Sequence, residues 1–209
     1  MPPPSVVNLW RLISLAVTLS LVPPAWAEDD KPLRITRDSH EFVLQTPTGP
    51  LVMSRTKTAC GATLGFIQPL VPLPGVTPVN EIDVLNALND PQTMVIDMRD
   101  EDEPLDTTLP NSYHIPHNEL EDHLDVLGCQ QLPSKAWDCS HAIKIVAFDY
   151  GPMCVQSPAG IKSIVRMGYP VSKIFYYRGG LLDWEGLGLT TVTGNRPLPK
   201  PPITQARLD

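Results

Sequence analysis

Asp149-Tyr-Gly-Pro-Met-Cys154-Val-Gln-Ser157-Pro158 sets one cysteine between an apolar strand and the start of a helix. The strand is Ile143-Lys-Ile145-Val146-Ala147-Phe148, rich in β-branched and aromatic residues. Ser157 as N-cap and Pro158 at the first helical position signal the helix. Ile161, Ile164 and Val165 recur at helical spacing, and Gly168 followed by Pro170 supplies a stop. Cys154 is therefore expected just before a helix N-terminus. Unpaired N–H groups and the positive dipole end at such a place lower a thiol pKa and favour an anionic sulfur.

Outward from this loop, strand and helix signals alternate. Thr77-Pro78 is expected to open a helix carrying Ile82, Leu85 and Leu88, which Asn89-Asp90-Pro91 ends. Thr93–Ile96 is a short apolar strand, and a helix is expected over Glu119–Leu127. Then come the 143–148 strand, the 158–167 helix, an Ile174–Tyr177 strand and a short helix near Leu182–Leu187. Strands spaced by helices imply an α/β fold, a parallel sheet flanked by helices. Ligand sites of such sheets lie beyond the carboxyl ends of the strands, which would gather Asp97, Arg99, the Cys154 loop and Arg178-Gly179-Gly180. Residues 28–76 differ. Glu41–Leu44, Leu51–Met53 and Thr63–Ile67 suggest short strands in a small β-rich N-terminal extension, and residues 195–209 form a proline-rich tail.

At the other end, Leu9–Val22 is an apolar run followed by Ala25-Trp26-Ala27, a small-x-small signal-peptidase pattern that predicts cleavage before Glu28. A retained anchor is the competing reading, although the run is shorter than the roughly 20 residues a spanning helix needs. Export, to the periplasm in a Gram-negative source or to the medium, and no membrane association after cleavage are expected. Loss of residues 1–27 would leave 182 residues with 15 basic and 23 acidic side chains. That balance, without a basic patch, disfavours nucleic acid and anionic membrane surfaces as partners.

An oxidising compartment makes disulfides plausible among Cys60, Cys129, Cys139 and Cys154. Cys129 and Cys139 bracket a short polar loop whose ends meet easily, so this pairing is expected. It leaves two readings of Cys154 open: a working thiol, or a bond to Cys60.

The order Val95-Ile96-Asp97-Met98-Arg99, Leu109-Pro110 to His114-Ile115-Pro116, a cysteine loop opening a helix, Gly168-Tyr169-Pro170 and Arg178-Gly179-Gly180-Leu-Leu-Asp-Trp184 resembles the rhodanese superfamily over residues 77–194. The loop itself is similar to an exported subgroup with Gly-Pro-x-Cys-x-Gln-Ser-Pro, in which a further cysteine often stands where this chain has Asp149. The resemblance implies a thiol that takes a sulfane sulfur as a persulfide and passes it to an acceptor. It makes Cys154 the candidate nucleophile. No cofactor is implied. The partners would be a small sulfur-donor anion and a thiophilic acceptor. The alternative is a rhodanese-fold binding or thiol-redox partner whose cysteine moves no sulfur.

A persulfide anion needs fixed N–H donors, and the backbone of Val155, Gln156, Ser157 and Gly160 is the expected cradle. Arg178 and Arg99 are the candidate cations for an anionic donor; Arg99 is read first as pairing with Asp97 or loop carboxylates to hold the loop. Asp149 is expected to repel such a donor, so Asn in its place should leave donor use unchanged or improve it. Gly160 stands where a phosphatase variant of the fold would need an arginine, which argues against phosphate capture. Gly179, Gly180 and Trp184, with Asp97 and Arg99, are read as structural neighbours of the site, and Tyr176, Tyr177 and Trp184 as core and strand packing. The Asp100–Asp106 run is read as a solvated loop, and His114 and His117, separated by Pro116, are not a helical metal pair.

Overall fold

The computed structural model describes residues 33–55, 65–100 and 107–199. The expected signal segment, Cys60 and the tail beyond residue 199 lie outside them. Five strands build one sheet: β3 (Thr77–Pro78), β4 (Thr93–Asp97), β5 (Tyr113–His114), β8 (Lys144–Phe148) and β9 (Ile174–Tyr176). Their order is β3-β9-β8-β4-β5, and every pairing is parallel. Two-residue periodicity explains why two apolar layers form. Met94, Ile96, Ile145, Ala147, Ile174 and Tyr176 enter one buried cluster with Ile161 and Ile164 of helix α2 (Gln156–Arg166). Val95, Val146 and Phe148 enter the other, with Val84 of α1 (Glu81–Asn89) and Leu181 and Trp184 of α3 (Gly180–Gly186). Helices thus cover both faces, as parallel strands buried on both sides require. Each fully buried aliphatic side chain contributes about 1.5–3 kcal/mol to that packing.

Several local expectations are corrected. Thr77-Pro78 does not open α1 but pairs as a short edge strand with Phe175 and Tyr176, a position where the missing proline N–H is tolerated. Asn80 is the cap instead: its Oδ1 accepts from the N–H groups of Ile82 and Asp83, and Asp83 returns a bond to the Asn80 N–H. Val84, not Ile82, is the buried residue of α1; Ile82 is exposed. The Glu119–Leu127 helix shrinks to one 3₁₀ turn at Leu120–His123, in which Leu120 is fully buried, with Leu124 beneath the turns that follow.

Cys129 and Cys139 form the expected disulfide, across a hairpin of β6 (Gln130–Gln131) and β7 (Trp137–Asp138). The extension contributes an antiparallel hairpin, β1 (Glu41–Thr46) and β2 (Gly49–Ser54), with Phe42 opposite Met53 and Leu44 opposite Leu51. Gly65–Ile67 is irregular backbone rather than the third strand expected there; the rest of that segment is outside the described residues.

Candidate functional site

β8 ends at Phe148, and the chain turns through Asp149, Tyr150 and Gly151 before α2 starts at Gln156. Asp149 is fully buried and governs the turn. Its Oδ1 accepts from the Gly151 N–H at 3.0 Å and its Oδ2 from the Ser157 N–H at 2.9 Å. A side chain eight residues upstream therefore caps α2. Val155, not Ser157, occupies the N-cap position, and its own side chain makes no cap bond. Burial pushes the Asp149 carboxyl up to about 6, with the Ser157 and Gly151 N–H groups pulling the other way.

Cys154 lies half-buried in this turn at the carboxyl edge of the sheet, its N–H donating to the Gly151 carbonyl at 2.9 Å. Its thiol donates to Oε1 of Gln156 at 2.9 Å. Nε2 of Gln156 in turn donates to Oδ2 of Asp100 at 2.7 Å. Oδ1 of Asp100 lies 2.9 Å from Nδ1 of His117. Asp100, the first residue of the acidic run, is thus not simply solvated. It is the residue whose part in the site sequence reasoning missed, and no local signal links it to a helix start 56 positions away.

The expected backbone cradle narrows. The Ser157 N–H is taken by Asp149, Pro158 has no N–H, and Gly160 lies inside α2. A Cβ on Gly160 would approach Met98 Sδ to 3.1 Å and His117 to 3.4 Å, so its smallness serves packing of the His117 segment. Among the described residues no backbone acceptor takes the N–H of Val155 or Gln156, the two residues of the expected cradle that follow Cys154 directly.

Side chains from the other strand ends brace the cysteine turn. Arg99 is completely buried and forks onto Asp97, Nε to Oδ1 at 2.9 Å and Nη2 to Oδ2 at 2.6 Å, while Nη2 also donates to the Thr107 carbonyl at 2.8 Å. Its guanidinium stacks 4.9 Å over the Tyr150 ring. Arg99 therefore fixes the loop. Thr108 donates to the same Asp97 oxygen at 2.7 Å. Arg178, partly exposed, gives one N–H to the Gln68 carbonyl at 3.2 Å and lies within electrostatic reach of Asp183 and Tyr176. Gln68 in turn donates its N–H to the Pro152 carbonyl at 2.7 Å, and a Cβ on Gly65 would fall 1.7 Å from the Met153 carbonyl oxygen. The end of the extension is thus laid against the cysteine turn.

Gly179 and Gly180 bring α3 up from beneath. Gly180 has φ +59°, and a Cβ there would meet the Asp149 carbonyl oxygen at 2.3 Å. The Leu181 and Leu182 N–H groups donate to the carbonyls of Asp149 and Tyr150. Trp184 is buried, its Nε1 bonded to the Thr190 carbonyl, edge-on to Tyr177. Tyr176, read as packing, has a buried hydroxyl with no hydrogen-bond partner among the described residues. Burial, together with the charges of Asp149 and Cys154, holds that hydroxyl protonated.

A doubly covered parallel sheet with a half-buried cysteine in the turn between its central strand and a helix defines the class: an α/β domain built around a thiol at the strand ends. The model of the Rhodanese-like domain matches residues 82–187, just over half of the chain, and the chain belongs to this family. Similar solved structures include a rhodanese-related protein from Thermoplasma volcanium, 20% identical with a TM-score of 0.41, covering 57% of this chain and 99% of that one. The polysulfide-sulfur transferase homodimer of Wolinella succinogenes is 21% identical with a TM-score of 0.40, covering 58% and 80%. Thiosulfate sulfurtransferase of Pseudomonas aeruginosa is 18% identical with a TM-score of 0.37, covering 57% of this chain and 20% of that one. No curated protein matches the chain.

Proposed function

We propose that the protein is an exported sulfurtransferase or persulfide carrier in which Cys154 carries the sulfur. The supporting observation is the position of this thiol: half-buried at the carboxyl edge of the sheet, followed in the chain by two N–H groups that no backbone acceptor takes among the described residues, with Arg178 at the next strand end. The Cys154 thiolate attacks the outer sulfur of thiosulfate. A new S–S bond forms, the S–S bond of the donor breaks, and sulfite leaves with the bonding pair. The product is a cysteine persulfide anion. Attack by a thiophile such as cyanide on the terminal sulfur then returns the thiolate and releases thiocyanate. The N–H groups of Val155 and Gln156 stabilise the persulfide charge, and Arg178 stabilises the donor as its charge is shared with departing sulfite.

Such a reaction runs by substituted-enzyme kinetics. Reduced protein should produce thiocyanate from thiosulfate and cyanide with parallel double-reciprocal lines. Cys154→Ser should abolish turnover, and Arg178→Ala should lower kcat/KM for thiosulfate about tenfold, the loss of one charged contact, without moving the urea midpoint. Absence of turnover with both thiosulfate and polysulfide would refute the proposal and leave the domain as a binding or thiol-redox partner.

Export is part of the proposal. It is supported by the Leu9–Val22 run with Ala25-Trp26-Ala27, and by the Cys129–Cys139 bridge, a bond favoured in oxidising compartments.

A further inference from the structure

Gln156 is 7% exposed, and its amide holds two contacts that constrain each other. Its NH₂ group donates to Asp100, which is acceptor-only when ionised, and its oxygen is consequently the end left for Cys154. Turned over, the amide would set its oxygen 2.7 Å from a carboxylate oxygen, two acceptors without a proton between them. An amide oxygen can receive a proton from a thiol but offers nothing to a thiolate. A hydrogen bond to the neutral form disfavours ionisation. Nδ1 of His117 lies 2.9 Å from the second oxygen of Asp100 without hydrogen-bond geometry, so His117 confines that carboxylate by proximity, and the absence of a side chain at Gly160 is what lets the His117 segment approach α2.

We propose that Asp100 is a positioning residue that, through the Gln156 amide, keeps Cys154 in its thiol form, so that the site is braked until that contact is released. The proposal deepens the sulfur-transfer reading and rests on Cys154 being the working sulfur of the site. Release needs Asp100 to be protonated or to swing away; its side chain is 44% exposed, so the swing is open to it. The amide can then turn its NH₂ group to the sulfur while the thiol proton passes to water, giving a thiolate with a side-chain donor in addition to the two backbone N–H groups. The other charged or titratable groups around the sulfur are Asp149 at the end of β8, and Tyr176 and Arg178 at the end of β9. They act on the sulfur directly. Asp100 is the group whose contact runs through an amide that can reverse.

The test is the rate of iodoacetamide alkylation of Cys154 in full-length Cys60→Ser protein, prepared without reductant so that the Cys129–Cys139 bridge remains, across pH 5 to 9. Asp100→Asn, whose amide can donate to a turned Gln156, should raise the rate at pH 6.5 about tenfold, the equivalent of one pKa unit. Asp100→Glu should match the parent. In a Gln156→Ala background the Asp100→Asn effect should vanish, because the two substitutions act through one contact. No acceleration in Asp100→Asn would overturn the proposal. An equal acceleration with and without Gln156 would also overturn it, since plain charge repulsion would then be the cause. Protein denatured in urea gives the rate for an unprotected thiol; if Asp100→Asn reaches it, Asp100→Ser replaces it in the same comparison. No sulfur donor is present, so failure here leaves sulfur transfer standing, and failure of sulfur transfer leaves this measurement decisive on its own terms.

Discussion

At the scale of single residues the site turns on Asp149 as much as on Cys154. A carboxylate buried without a cation is supported by the N–H groups of Ser157 and Gly151 and by the Ser157 and Cys154 side chains, and these do not fully offset its desolvation. Its carboxyl is raised to about 6 from 3.8, so the folded protein holds this proton more tightly than the unfolded chain. The stability it contributes is fully present below about pH 4 and is lost as pH rises through 6, on the order of 3 kcal/mol. Urea titrations at pH 4.5 and 7 should show that loss in the parent and a flatter dependence in Asp149→Asn. The variant should also be less stable at pH 4.5 by about 1–3 kcal/mol, because Asn can accept from only one of the two N–H groups. An unchanged slope would remove Asp149 as the titrating group. Simple repulsion of a donor, the role expected from sequence, leaves out this structural cost. Cys154 and Arg99 were legible because each has a local partner, a helix start for one and Asp97 for the other. Asp149 and Asp100 were not, because their partners meet them only once strand and helix have packed.

At the scale of elements, β4, β8 and β9 were readable from their β-branched and aromatic runs, and α2 from Ile161 and Ile164, since burial on a sheet imposes just those periods. What failed were the ends. Ser157-Pro158 has the composition of a helix start, yet a long-range carboxylate caps the helix and moves its first residue to Gln156. Thr77-Pro78 has the same look, and strand pairing with β9 claims it instead. The 119–127 segment has helical spacing but spends it on burying Leu120, Leu124 and Leu127 through tight turns. In each case tertiary contacts outweighed a local signal worth about 1 kcal/mol.

At the scale of the whole molecule, the parallel sheet does the positioning: three strand ends deliver Arg99, the Cys154 turn and Arg178 to one edge, and α3 closes beneath them through Gly180. The disulfide hairpin stands apart from these residues in sequence and holds no thiol for the chemistry. If the chain is exported, protein recovered from the periplasm or medium should begin at Glu28 by N-terminal sequencing; soluble cytoplasmic protein beginning at Met1 or Pro2 would overturn that proposal. The central claim concerns one atom, the sulfur of Cys154. Intact-mass spectrometry of reduced protein after incubation with thiosulfate tests it most directly. The account predicts a gain of one sulfur, removed by cyanide, present in Cys60→Ser and absent in Cys154→Ser; a sulfur adduct that persists in Cys154→Ser would contradict it.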